Sequence, residues 1–167
     1  MNSPIAHTVL ADLDHEIAST RKVLKQVPEA HLDYAPHGKS MKLGKLAHHL
    51  TEVTQLGWLV ITTNELDFAA PSPPKPPAAT TAAGFLEEFD AAVALLKSEL
   101  SKTTDAHLSE PWVMRSGAQV WMNMPRLTWL RVMITNHLVH HRAQLTLYYR
   151  MLDLPMPGMY GPSADEM

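Results

Sequence analysis

The chain predicts an all-α fold, a bundle of four long helices, and three observations predict it. Apolar residues recur at spacings of three and four along four separate stretches, the pattern of helices that each bury one stripe. Proline falls at the ends of those stretches or between them, where it stops a helix or starts one. Strict apolar and polar alternation, the mark of a half-buried strand, is scarce. With 167 residues, 46% of them hydrophobic, one domain over 1–167 can bury a continuous core.

Ser3 and Pro4 supply an N-cap and a first helical residue, and Leu10, Leu13, Ile17, Thr20, Leu24 and Val27 continue as a stripe. Helix one is thus expected over 4–27, ended by Pro28. Glu16 lies at the edge of that stripe, where it can reach solvent or turn inward behind a metal ligand, and solvent is the expected outcome. The segment 28–39 carries turn chemistry, with Pro36 and Gly38, and Ser40 offers a cap for helix two. In helix two Leu43, Leu46, His49, Leu50, Val53 and Leu56 fall on one side, while Lys45, His48, Glu52 and Gln55 fall on the other. This register turns His49 inward and His48 outward.

Pro71-Ser72-Pro73-Pro74-Lys75-Pro76-Pro77 excludes a helix and predicts an extended, semi-rigid crossover between helices two and three. A polyproline recognition motif is the sharper reading, but only Lys75 supports it. Helix three begins near Thr81 and buries Phe85, Phe89, Ala92, Leu96 and Leu100. The stretch 105–125, with Trp112, Met114, Gly117, Trp121 and Met122, is expected as a short hairpin or an irregular flap packed over the bundle end. Helix four runs from Pro125 to about Leu152, and the proline- and glycine-rich tail 155–167 is expected to pack.

Helix four carries the chemistry. Its stripe reads Leu127, Leu130, Ile134, His137, His141, Leu145, Tyr148 and Leu152, so two histidines one turn apart interrupt a core face. A lone buried histidine is ordinarily a hydrogen-bonded core residue. Two in register, with His49 as a third, match an open metal site, which takes three protein ligands and leaves one position for water or a displacing ligand. Imidazoles suit zinc, nickel or iron, and copper as well. His140 is placed at the surface, Arg142 in a salt bridge or against a partner copy, and Asn136 or Gln144 beside the free nitrogen of a ligating ring. His7, His15, His31, His37 and His107 are read as solvated or capping residues.

Composition narrows the function classes. The absence of cysteine rules out disulfides, thiolate ligands and a cysteine nucleophile. A formal charge of -3 with interspersed signs gives no footprint for nucleic acid. No signal-peptide pattern and no apolar run of about 18 residues occurs, so the expectation is a soluble, cytoplasmic protein. No His-Glu-x-x-His motif is present, because Leu138 stands where the base would be, which disfavours a protease.

Leu46-Ala47-His48-His49-Leu50-Thr51-Glu52, Asn136-His137-Leu138-Val139-His140-His141-Arg142-Ala143-Gln144-Leu145 and Tyr160-Gly161-Pro162-Ser163-Ala164-Asp165-Glu166 together resemble the DinB/YfiT-like family of damage-inducible proteins, regarded as metalloenzymes. Val27-Pro28-Glu29 and 36–41 extend the resemblance over nearly the whole chain. It implies a four-helix bundle of DinB/YfiT-like topology, often a homodimer, with a divalent ion on His49, His137 and His141. Relatives include thiol-dependent transferases and maleylpyruvate isomerase, which use bacillithiol, mycothiol or glutathione. That implies a low-molecular-weight thiol as co-substrate and an S-transferase or isomerase reaction, with the ion lowering the thiol pKa. The same three ligands would also suit a metal-dependent hydrolase or a non-catalytic stress-response protein.

Overall fold

The computed structural model describes residues 3–72 and 77–167. Helix α1 spans Pro4–Leu24, and the Ser3 side chain accepts from the Ala6 N–H at 2.9 Å, satisfying one orphan donor of the first turn. It ends three residues before the expected boundary, and a single tight turn, Glu29–His31, follows Pro28. Helix α2, Leu43–Thr62, starts beyond Ser40; its N-cap is Lys42, whose side chain caps nothing, so the cap expected from Ser40 is not used. Helix α3, Ala82–Leu100, opens on Thr81, which accepts from the Gly84 N–H at 3.1 Å. The expected polyproline crossover falls largely on residues 73–76, which lie outside the described residues.

The all-α expectation is corrected between α2 and the last helix. Strand β1 is Glu65–Asp67; after the short helix α4, Asp105–Ser109, come β2, Pro111–Ser116, and β3, Gln119–Pro125. They form one sheet in the order β1-β2-β3. The antiparallel hairpin turns through Gly117, whose φ of +55° at the first central position suits a residue without Cβ. The parallel pairing of Glu65 with Val113 had no sequence signal, since three residues are too few to show alternation. The fold is mostly helical with this small sheet at one side.

The last helical stretch is also not uniform. Pro125 stands just before it; α5 is Arg126–Trp129, then Leu130–Thr135 winds as a π-helix, and α6 is Asn136–Met151. The four long helical segments pack cyclically: α1 on α3, α3 on α2, α2 on α6 and α6 on α1. Gly57 lets α2 approach α3 closely, for a Cβ there would meet the Leu96 side chain at 3.0 Å. The shared core includes Leu13, Leu24, Leu50, Phe89, Leu138 and Tyr149, all essentially without solvent contact.

A second cluster, Val60, Trp112 and Trp129, fixes the sheet to the helices. The Trp129 indole N–H donates to the Trp112 carbonyl at 2.9 Å and the Trp112 indole N–H to Thr63 Oγ1 at 3.1 Å. Arg126, 1% exposed, donates to the Val60 and Thr63 carbonyls, each at 2.7 Å, and so closes the open end of α2. α1 and α6 run parallel, because Glu16 meets Arg142 and the Val23 carbonyl accepts from Tyr149 Oη at 3.0 Å. Among the described residues no helix is long and apolar enough to cross a membrane.

Candidate metal centre

α2 brings His49, and α6 brings His137 and His141, to one point between the two helices. Their ring centroids lie 4.5 to 5.3 Å apart, and one nitrogen from each falls within 4.8 Å of the other two. His141 is buried and the other two rings are half-buried, so the cluster sits at the edge of the core and not at its centre.

The remaining ring nitrogens explain the orientation. His49 Nδ1 lies 3.0 Å from Glu52 Oε2, His137 Nδ1 3.3 Å from the Met133 carbonyl and His141 Nδ1 2.8 Å from Gln144 Oε1. All three partners are acceptors in this arrangement, so each Nδ1 carries the proton and each Nε2 keeps its lone pair. The Nε2 atoms of His137 and His141 face each other at 2.7 Å. Two lone pairs at that separation repel unless a cation or a proton lies between them. A three-imidazole set with its lone pairs turned inward and its outer nitrogens braced fits a divalent ion with an open position.

Electrostatics favour the neutral form of His137 and His141. Burial pushes the His141 imidazole down to about 4, with the hydrogen bond to Gln144 opposing and the other three histidines reinforcing the shift. Burial lowers His137 as well, followed by the charge of His49. Neutral imidazoles at pH 7 offer lone pairs without competition from protons.

The structure brings together the three histidines selected by helical register. His48 is set apart from them, but not toward solvent as expected: its Nδ1 lies 2.9 Å from Glu88 Oε2 on α3. Of the polar side of α2, His48 is the residue that meets α3, while Lys45 and Gln55 are exposed. Gln144 braces His141, whereas Asn136 is exposed. His140 is exposed and lies 3.2 Å from the Gln144 amide nitrogen, holding that amide with its oxygen toward His141. Glu52 and Met133 were not anticipated as braces. Glu52 stands three residues after His49, a spacing that could have pointed to it, but a backbone carbonyl such as that of Met133 leaves no trace in the sequence.

Two further expectations need correction. Glu16 turns inward and is half-buried: Arg142, only 2% exposed, donates to Glu16 Oε2 at 2.6 Å, and the Tyr160 hydroxyl donates to the same carboxylate at 2.9 Å. The salt bridge foreseen for Arg142 is therefore buried and internal. His107 is not simply solvated, since it bridges the Ile61 carbonyl and Glu110. The tail 155–167 packs, with Arg150 on Asp165 at 2.6 Å and Glu166 accepting from the Gly158 N–H at 2.9 Å.

A largely helical fold with a three-imidazole cluster between two of its helices defines a candidate metal-binding protein. The DinB superfamily matches residues 12–145, and the chain belongs to that family. It is 31% identical over 160 residues to YrdA of Bacillus subtilis strain 168, an uncharacterised protein, covering 94% of this chain and 89% of that one. In fold it is similar to a DinB-like protein of Bacillus cereus ATCC 10987, with a TM-score of 0.68 at 24% identity over 91% of this chain and 95% of the other. It is similar also to the DinB-like protein YjoA of Bacillus subtilis, with a TM-score of 0.71 at 15% identity over 93% and 99%.

Proposed function

We propose that this protein is a divalent-metal enzyme of the DinB superfamily in which His49, His137 and His141 hold the ion and a low-molecular-weight thiol takes the open position. The observation that carries the reading is the inward convergence of three imidazole nitrogens whose outer nitrogens are all engaged by oxygen acceptors. A bound divalent ion supplies Lewis acidity there, undiminished by any carboxylate ligand, and lowers the pKa of the group beside it. The chain itself contributes three imidazole donors, an outer acceptor that orients each ring and partial exclusion of water. The reaction class that follows is S-transfer to an electrophilic acceptor, or isomerisation through a thiol adduct.

Elemental analysis of the purified protein, then a panel of bacillithiol, mycothiol and glutathione with electrophilic acceptors, tests this. Near-stoichiometric zinc, nickel or iron and metal-dependent thiol consumption are expected. Tight metal binding with no turnover on any thiol would leave a metal-fixed, non-catalytic protein, since the ion would still tie α2 to α6.

The reading includes a cytoplasmic homodimer. Leu147 and Met151, 56% and 52% exposed and one turn apart on α6, offer an apolar face for a second copy. Light scattering should give twice the monomer mass of 18.6 kDa, and Leu147→Glu should return it to the monomer value. A wild-type monomer at micromolar concentration would remove this part.

A further inference from the structure

A cleft of about 540 Å³ runs between α1 and the helical stretch leading into α6, and the three imidazoles do not line it. Ile5, Val9 and Leu127 give it an apolar strip, Asp12 lines it from α1, and Arg131 lines it from the π-helical segment. Among the described residues neither Asp12 nor Arg131 makes an ion pair or hydrogen bond, with each other or with anything else, and both are exposed. Glu16 also borders the cleft, but Arg142 and Tyr160 already engage its carboxylate.

The two free charges stand at different levels. Glu16 meets Arg142 and Val23 meets Tyr149, seven residues further along both helices. Counting back along this parallel pair puts Arg131 level with Ile5, and Asp12 two turns further on, about 10 Å at 1.5 Å per residue. Asn136 lines the cleft at the Asp12 end and adds an amide that can donate or accept. An apolar strip with a guanidinium beside Ile5 and a carboxylate beyond Val9 is a bipolar receptor. A simple cation would leave Arg131 unmatched, and a simple anion would meet Asp12 and Glu16.

We propose that this cleft binds a dipeptide-sized zwitterion, with its ammonium on Asp12, its carboxylate on Arg131 and an apolar side chain along Ile5, Val9 and Leu127. The volume suits a small-molecule site. The inference does not rest on the metal, and the two can fail separately.

Calorimetric titration of the full chain with the dipeptide Ala-Leu at low salt tests it, with the protein metal-loaded and again after chelation. Saturable binding in both states is expected. N-acetylation or C-terminal amidation of the peptide should each weaken it by about tenfold or more, because each removes one charge-assisted contact. Asp12→Asn should abolish the sensitivity to acetylation alone, and Arg131→Gln the sensitivity to amidation alone. Both sites are exposed, and an unchanged melting temperature confirms that the variants fold. Absence of saturable binding at millimolar peptide, or equal affinity for free and capped peptides, would overturn the assignment. So would a homodimer that Arg131→Glu dissociates, which would give the cleft to a second copy.

Discussion

Arg142, the residue after His141, sends its guanidinium across to α1, where Nη2 lies 2.6 Å from Glu16 Oε2 with the two side chains 2% and 13% exposed. The same guanidinium donates to the Glu16 carbonyl at 2.9 Å, and Tyr160 Oη is 2.6 Å from it. One turn of α6 is thereby locked to α1 on one side while it presents a histidine to α2 on the other. Removing one partner of a buried ion pair leaves an uncompensated charge, which costs about 3 to 5 kcal/mol. Arg142→Ala should lower unfolding stability by that order in urea titrations, and Glu16→Ala nearly as much. The double variant should be far less than additive. Additive losses would show that the pair does not act as a unit.

The three imidazoles should be individually indispensable to metal affinity. His49→Ala, His137→Ala and His141→Ala should each weaken zinc or nickel binding by about 100-fold or more, since two imidazoles make a poor site for a borderline ion. His48→Ala, which removes only the contact to Glu88, should change it less than about threefold. Calorimetry with chelator competition decides. Equal loss from His48→Ala would transfer its assignment.

The outer braces should matter by a smaller, measurable amount. Gln144→Ala frees the His141 ring to rotate and to change tautomer, and should weaken metal binding by about 10-fold or more. Glu52→Ala does the same for His49, with the added loss of a carboxylate that raises ligand basicity. Wild-type affinity in both variants would show that packing alone holds the rings.

The metal-free protein should lose stability as pH falls through a defined window. Burial lowers the His141 pKa from 6.5 to about 4 in the folded chain. Between those values the unfolded chain binds the proton and the folded chain does not, so protons favour unfolding. Stability is full above about pH 6.5 and declines as pH falls toward 4, in melting scans run with chelator. His141→Gln should flatten part of that decline. An unchanged pH profile in the variant would show that another group is responsible.

The helices were legible because their signal is local. A repeat of 3.6 residues appears in any window of a dozen residues, so the stripes of α1, α2, α3 and α6 could be read before any contact was known. The same register chose His49 over His48 and paired His137 with His141, because side chains four apart share a face whatever surrounds the helix. The hairpin too was within reach, through Gly117 between two apolar strands.

Tertiary structure decided the partners. The sequence places Glu16 at the edge of a stripe and gives Arg142 a salt bridge or a partner contact without naming its acid, and only the parallel docking of α1 on α6 joins the two. His48 faces away from the cluster in its own helix, yet whether that side meets solvent or Glu88 depends on where α3 lands. Arg126 is buried because the end of α2 needs donors just where α5 begins. Three-residue β1 exists because β2 offers it an edge. A polar side chain carries no periodic mark of its partner, and its burial is set by the long-range packing of elements distant in sequence.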